Sequence, residues 1–289
     1  QRTTDETESP KSKVQNPKSG IHVSRFTFHA SPIFQDASEL IAHTHRDDPF
    51  DDFVRQPLLP NRLSQLGPGV TWFDLDNDGW EDLIIGSGKG GTLGIYRNDG
   101  RGGFKKLEEP PWSTPITRDQ TAVLGWRNGS ATRLLAGSAN YEDGLIVGSC
   151  VRQFDPARNA IDDSLPPSPS SSGPLALGDV DGDGDLDLFV GGRIFPGKYP
   201  RVASSVVFRN AGGKFEIDFE NTKRLAGIGL VSGAVFSDLD GDGDPDLILA
   251  CDWGPILIYQ NDVGALQPWV WPITMAQGSS DPHPQDSTP

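Results

Sequence analysis

The feature that most constrains this chain is a nine-residue acidic loop that occurs three times. Its copies share aspartates at positions one, three, five and nine and a glycine at position six, and they span residues 74–82, 179–187 and 238–246. A short apolar run follows each copy. Four carboxylates this close repel one another at neutral pH unless a cation lies between them, and Ca²⁺ accepts roughly six to eight oxygen ligands in irregular geometry. The repetition therefore predicts three structural calcium sites.

The predicted ligands are the loop carboxylates and the residue at position seven, whose backbone carbonyl is placed to add an oxygen. They are Asp74, Asp76, Asp78, Trp80 and Asp82 in the first loop, Asp179, Asp181, Asp183, Asp185 and Asp187 in the second, and Asp238, Asp240, Asp242, Asp244 and Asp246 in the third. An EF-hand would need glutamate at position twelve and flanking helices, but Ile85, Val190 and Leu249 stand there. The remaining alternative is an acidic surface turn without an ion.

Each acidic loop lies between two short apolar runs of strand length, so the repeating unit is strand–loop–strand. This repetition predicts an all-β fold, a β-propeller of four consecutive four-stranded blades. The blades are expected at residues 67–118, 119–172, 173–230 and 231–266.

The second predicted blade has lost the acidic loop. When residues 124–132 are aligned with it, the four carboxylate positions hold Leu124, Trp126, Asn128 and Thr132, although the turn glycine is kept. Leucine and tryptophan side chains offer no oxygen ligand. We therefore expect this blade to bind no Ca²⁺.

The rest of the chain has weaker patterns. Residues 1–20 are polar and predict a disordered leader. Residues 21–66 are expected to pack on the propeller, and residues 24–30 within them alternate like a half-buried strand. Residues 155–174, which contain PPSPSSSGP, predict a flexible excursion between two blades, and residues 267–289 a polar, proline-rich tail.

Charge and composition exclude some partners. The formal net charge of −15 argues against nucleic acid and anionic membranes, and no apolar run is long enough for membrane insertion. The two cysteines, Cys150 and Cys251, are expected to be free thiols, the alternative being a disulfide that requires close Cα approach. A cysteine-poor, calcium-dependent chain suits an extracellular, periplasmic or cell-surface location.

Longer phrases carry a family resemblance. The repeats resemble FG-GAP/VCBS-type propeller blades, and residues 43–265 resemble the propeller region of bacterial ASPIC/UnbV-type proteins. The phrases are HTH at 43–45, FDDF at 50–53, QPLLP at 56–60, LSQLGPG at 63–69, NYEDG at 140–144 and GGRIFPGKYP at 191–200. The resemblance implies an exported or surface-associated protein and a ring of about seven blades, of which this chain would hold four. Such proteins continue into a C-terminal ASPIC/UnbV domain, whereas residues 267–289 here are a polar tail.

Two functions fit these patterns. The first is a calcium-stabilised scaffold without catalysis that presents loops to an unknown protein or glycan. The second is a propeller enzyme, a polysaccharide lyase or hydrolase with its site at the channel mouth. Its candidate polar groups are His43, His45, Asp51, Asp52 and Arg55, joined by Arg193, Lys198, Tyr199 and Arg201. The histidine pair alone is also compatible with a transition metal. The oligomeric state stays open.

Overall fold

The computed structural model describes residues 36–129 and 131–269. The chain divides into two units, 1–37 and 38–289, and apart from Asp36 and Ala37 the described residues belong to the second. This unit contains four four-stranded antiparallel sheets. Within each sheet the strands follow one another in chain order. The predicted all-β class is therefore confirmed.

The four sheets take up the described chain in order. The first two consist of β1 (Val70–Phe73), β2 (Asp82–Ile85), β3 (Gly94–Asn98), β4 (Phe104–Lys106), β5 (Val123–Asn128), β6 (Ala131–Gly137), β7 (Val151–Asp155) and β8 (Ala160–Asp162). The last two consist of β9 (Ser171–Gly178), β10 (Asp187–Ile194), β11 (Val206–Ala211), β12 (Lys214–Ile217), β13 (Leu230–Ser237), β14 (Asp246–Asp252), β15 (Leu257–Asp262) and β16 (Ala265–Pro268). The first strands of consecutive sheets contact one another, β1 with β5, β5 with β9 and β9 with β13.

Three short helical segments accompany the sheets, and the sequence patterns predicted none of them. They are a 3-10 turn at Ser38–Leu40, helix α1 (Asp52–Arg55) and helix α2 (Phe219–Arg224). Asp51 caps α1 by accepting two backbone N–H groups, and Asp218 caps α2. Within the described residues no helix is long and apolar enough to cross a membrane.

The core lies between the sheets because side chains alternate along each strand. On β6, Leu134 packs with Ile84 of the first sheet, while the next residue, Leu135, packs with Leu188 of the third. On β10, Leu188 faces the second sheet and Phe189 joins the cluster shared with the fourth. All five side chains are fully buried, and burying each contributes about 1.5–3 kcal/mol. Burial on both faces explains why apolar residues are adjacent in these strands, Leu134 and Leu135 on β6 and Leu188 and Phe189 on β10.

Residues 38–66 lie at the end of the sheets opposite the acidic loops. The acidic loops join first and second strands, whereas this segment contacts the connections between second and third strands. Its hydrogen bonds join Asp48 to Lys89 (2.8 Å), Arg55 to Tyr141, and Gln56 to Tyr199 (3.1 Å). The segment thereby links the first three sheets.

The structure corrects two predictions. Residues 155–174 are not one flexible excursion, because they contain β8, which pairs with β7, and the start of β9. Residues 124–132 do not form a loop like the acidic ones, because β5 and β6 stay paired from Val123↔Ala136 to Asn128↔Ala131. No carboxylates separate these strands, so the hairpin closes tightly at Gly129, whose φ is +56°.

The predicted tail and the two cysteines can also be compared with the structure. Strand β16 ends at Pro268, two residues inside the predicted tail. The leader, the strand at residues 24–30 and the tail from residue 270 lie outside the described residues. Both cysteines are free thiols, as predicted. Cys150 is buried, and this burial raises its pKa to about 12.

Candidate metal centres

The three acidic loops share one backbone arrangement at their first aspartate. Both carboxylate oxygens of that residue accept N–H groups from the turn, and the glycine at position six is always one of the donors. These pairs are Gly79 to Asp74 (3.1 Å), Gly184 to Asp179 (2.9 Å) and Gly243 to Asp238 (3.1 Å). The three glycines have φ between +91° and +98°, a region that L side chains avoid. Glycine at position six is therefore required by the turn.

The ninth aspartate fixes the loop to the sheet. Asp82, Asp187 and Asp246 are all 0 % exposed. One oxygen of each accepts the N–H of the residue at position two, and the other accepts the N–H of an asparagine on the third strand. These donors are Leu75 and Asn98 for Asp82, Val180 and Asn210 for Asp187, and Leu239 and Asn261 for Asp246, all at 2.8–3.1 Å. Through these two hydrogen bonds, the ninth aspartate connects the start of the acidic loop to the third strand of the sheet.

In each loop three carboxylates converge. One oxygen from each member of a set lies within 4.8 Å of the others, and the sets are Asp74, Asp76 and Asp78; Asp179, Asp181 and Asp187; and Asp238, Asp240 and Asp246. Asp82, Asp183 and Asp242 fall outside these sets. Three converging carboxylates are a donor set that fits a hard cation such as Ca²⁺.

The residues at position seven differ in their surroundings. The indole of Trp80 is 53 % exposed and lies against Gly100. Asp185 accepts the N–H of Gly212 at 3.0 Å. In all three copies the backbone N–H at position seven donates to the aspartate at position five, at 2.8–2.9 Å. The copies therefore share this backbone hydrogen bond, while the side chains of Trp80 and Asp185 contact the neighbouring turn in different ways.

Basic side chains that the sequence analysis missed reach two of the loops. Arg97 pairs with Asp76, and Arg209 pairs with Asp181 at 3.3 Å. In the third loop the equivalent residue is Gln260, whose amide donates to an aspartate oxygen at 2.6 Å. Their position in the sequence could have identified them, because each of the three residues directly precedes the asparagine whose N–H donates to the ninth aspartate.

The charge balance therefore differs among the loops. Arg127 adds a second pair in the first loop, to Asp74 at 3.1 Å. In the third loop, within the described part of the chain, no lysine or arginine lies within 4.0 Å of a carboxylate. Burial raises the pKa of Asp82, and the charges of Asp78 and Asp74 add to the rise. The negative charges of the neighbouring carboxylates thus favour the protonated form of Asp82.

In the second sheet, the described residues place no acidic set at the equivalent position. Trp126 is 3 % exposed and packs against Phe215 of the third sheet, with ring centroids 5.3 Å apart. Thr132 is buried, and its hydroxyl accepts a hydrogen bond from Asn77 at 3.2 Å. Trp126 and Thr132 therefore contribute to packing between neighbouring sheets.

The residues considered for catalysis have structural partners. His43 bonds to the hydroxyl of Tyr96 at 2.7 Å, and burial lowers its pKa. Asp51 caps α1, Asp52 is fully buried, and the guanidinium of Arg55 lies over Phe50 and Tyr141. His45 lines a separate small cavity. His43, Asp51, Asp52 and Arg55 do not line that cavity.

Side chains of residues 191–201, a segment that begins at the end of β10, also have structural partners. Arg193 pairs with Asp252 at 2.6 Å, and the hydroxyl of Tyr199 bonds to the indole N–H of Trp253. Arg201 stacks over Phe195, and Lys198 is exposed. Tyr199 and Trp253 border an apolar cavity of about 520 Å³ between the third and fourth sheets.

A fourth carboxylate cluster was not foreseen. Asp47, Asp119 and Glu142 bring one oxygen each within 4.8 Å of the others. Burial raises the pKa of Asp119 to about 7; the N–H of Lys89 opposes this rise, and the charges of Asp47 and Glu142 add to it.

Comparison of the sequence with protein-family models and with curated proteins finds no match.

Proposed function

We propose that this protein is a calcium-stabilised scaffold in which residues 74–82, 179–187 and 238–246 each bind one Ca²⁺. The observation that carries the proposal is that each loop holds three converging carboxylates on the same backbone arrangement. They come from positions one, three and five in the first loop and from positions one, three and nine in the other two. Hard oxygen donors in this number favour Ca²⁺ over softer metals. The ligands would be the aspartates of each loop, with a backbone carbonyl at position seven.

We further propose that the four sheets are blades of a β-propeller related to FG-GAP/VCBS repeats and to ASPIC/UnbV-type proteins. The contacts between first strands of consecutive sheets support this arrangement. A larger ring of about seven blades is supported by the outer face of the fourth sheet. Val235 there is 51 % exposed, whereas Ala176, its counterpart in the third sheet, is 6 % exposed.

The proposed role is recognition of a protein or glycan, outside the cytoplasm and without catalysis by this chain. The apolar cavity beside Trp253 is the best-formed surface for such recognition. Trp253 is 82 % exposed and has φ of +60°, so the loop holds a large aromatic ring outward at a cost in backbone strain. Exposed aromatic rings suit stacking on sugar rings and anchoring of peptides.

Calorimetric titration of Ca²⁺ into the protein tests the scaffold proposal. We expect three sites in the wild type and two in Asp240→Ala. A stoichiometry of zero would identify the loops as acidic turns.

A glycan and peptide array tests the recognition surface. Binding should be lost in Trp253→Ala and kept in Phe219→Ala, a control in which an aromatic ring that is 75 % exposed is removed elsewhere. Turnover of a polysaccharide that is lost in His45→Ala would instead establish the enzyme.

A further inference from the structure

Three acidic residues from distant parts of the chain meet at the end of the sheets opposite the acidic loops. Asp47 belongs to the segment before the first sheet, Asp119 to the connection between β4 and β5, and Glu142 to the connection between β6 and β7. One carboxylate oxygen of each lies within 4.8 Å of the others. Because the three residues are far apart in the sequence, they come together only when the protein folds, whereas the residues of each acidic loop are near neighbours in the chain.

Two of these carboxylates have buried oxygens without a hydrogen-bond donor. The side chain of Glu142 is 7 % exposed and reaches into the cluster, and its Oε1 has no partner. Oδ1 of Asp47 is also buried and unpartnered. Asp119 itself is 7 % exposed. A buried carboxylate oxygen that accepts no hydrogen bond is costly, so these atoms indicate a missing ligand.

The charge of the cluster points to the same conclusion. Within the described residues, the ammonium in contact is that of Lys89, whose Nζ lies 3.2 Å from Oε2 of Glu142. Its backbone N–H also donates to Oδ1 of Asp119 at 2.8 Å. Three carboxylates against one ammonium leave a negative excess that a divalent cation balances.

We propose that Asp47, Asp119 and Glu142 bind a hard divalent cation of the Mg²⁺ and Mn²⁺ class. The donors are all oxygens, which these ions prefer over nitrogen or sulfur. Only three protein groups converge, so the remaining positions are filled by water, as is usual for such ions. A cavity of about 180 Å³, lined by Asp47, Asp119 and Ser87, adjoins the cluster and has room for that water.

The cation would join the segment before the first sheet to the first and second sheets. Asp47 is the ligand from that segment, and its position depends on Gly88. A Cβ placed on Gly88 would lie 2.5 Å from Cγ of Asp47, so alanine there must displace the carboxylate. Gly88→Ala therefore disturbs the proposed site without changing any charge.

Electron paramagnetic resonance of Mn²⁺ counts bound ions and tests the proposal. We expect Glu142→Gln to bind one Mn²⁺ fewer per chain than the wild type. The matched control is Glu216→Gln, an exposed glutamate whose partner is Lys214, and it should bind as many as the wild type. Gly88→Ala should shift the binding curve to higher Mn²⁺ concentration. Any Mn²⁺ held by the acidic loops cancels in these differences.

Equal Mn²⁺ counts in the wild type and Glu142→Gln would overturn the proposal. If Glu142→Gln does not fold, as judged by circular dichroism, crystals of the wild type soaked in Mn²⁺ decide. An anomalous peak among the three carboxylates supports the site, and its absence at millimolar Mn²⁺ rejects it.

Discussion

Among single residues, the loop aspartates divide into two roles. Asp246 is fully buried and accepts two backbone N–H groups, those of Leu239 and Asn261. Asp242 is exposed and accepts one N–H group within its own loop. The first therefore stabilises the sheet even without metal, whereas the second would contribute mainly through the proposed Ca²⁺.

This division predicts different responses to chelator. In chelator, Asp246→Ala should lower the free energy of unfolding by about 1–3 kcal/mol, because two N–H groups lose their acceptor. Asp242→Ala should change it much less, because the lost carboxylate is exposed and accepts an N–H group within its own loop. Each variant should lose the stabilisation that Ca²⁺ adds through the third loop, about one third of the total in the wild type. Urea unfolding with and without Ca²⁺ measures these differences, and equal losses in chelator would contradict the division.

The residue that precedes the third-strand asparagine should tune calcium affinity. Arg97 occupies this position in the first loop and Gln260 in the third. Arg97→Gln should raise the Ca²⁺ affinity of the first loop about 1.4- to fivefold, because a partly exposed ion pair is worth about 0.2–1 kcal/mol. Gln260→Arg should weaken the third loop by a similar factor.

Terbium luminescence sensitised by Trp80 follows the first loop, and calorimetry follows the third. Arg152→Gln is the control, since Arg152 pairs with Asp163 away from the acidic loops. A lower affinity in Arg97→Gln would show that the arginine helps to form the site.

Among the structural elements, helix α1 depends on a buried carboxylate. Asp52 accepts the N–H groups of Leu63 (2.7 Å) and Ser64 (2.9 Å) and the hydroxyl of Ser64 (2.6 Å). Burial raises its pKa, but these hydrogen bonds outweigh the burial, so the pKa lies below its ordinary value. The carboxylate thus fixes residues 52–64 in one conformation.

A lowered pKa in the folded state gives a defined pH dependence. The stabilisation by ionised Asp52 is fully present above the unfolded pKa of about 3.9 and is lost as pH falls below it. Asp52→Asn should therefore be less stable than the wild type above pH 5, by a difference that shrinks toward pH 3. Asp51→Asn, which keeps a side-chain oxygen for the helix cap, should show no such trend. Thermal unfolding across this pH range provides the measurement.

For the whole molecule, three calcium sites would act together on stability. At ~1 mM free Ca²⁺ and a Kd of ~0.1 mM, each site adds about 1.4 kcal/mol when only the folded state binds. Three sites add about 4 kcal/mol, which raises the melting temperature by roughly 10 °C for a chain of this size. Scanning calorimetry should show this difference between Ca²⁺ and chelator. Asp240→Ala should show about two thirds of it, and a melting temperature that ignores both would refute calcium binding.

The acidic loops could be identified from sequence because their parts are local. The first aspartate, the glycine at position six and the ninth aspartate lie within nine residues, and each contacts its own turn or the adjoining strands. The alternation of apolar residues on β6 and β10 likewise reflects a property of single strands. Helix α1 and strand β8 were missed because each is short and stabilised by distant partners, Leu63 and Ser64 for α1 and β7 for β8.

The sequence by itself determined the all-β class and the strand–loop–strand repeats, because these depend on interactions between near neighbours in the chain. Only the tertiary structure decided which distant groups meet. It brought Arg97 onto the first loop and assembled Asp47, Asp119 and Glu142 from three separate segments. Local periodicity carries no information about such contacts, because they arise from how the sheets and the segment at residues 38–66 pack together.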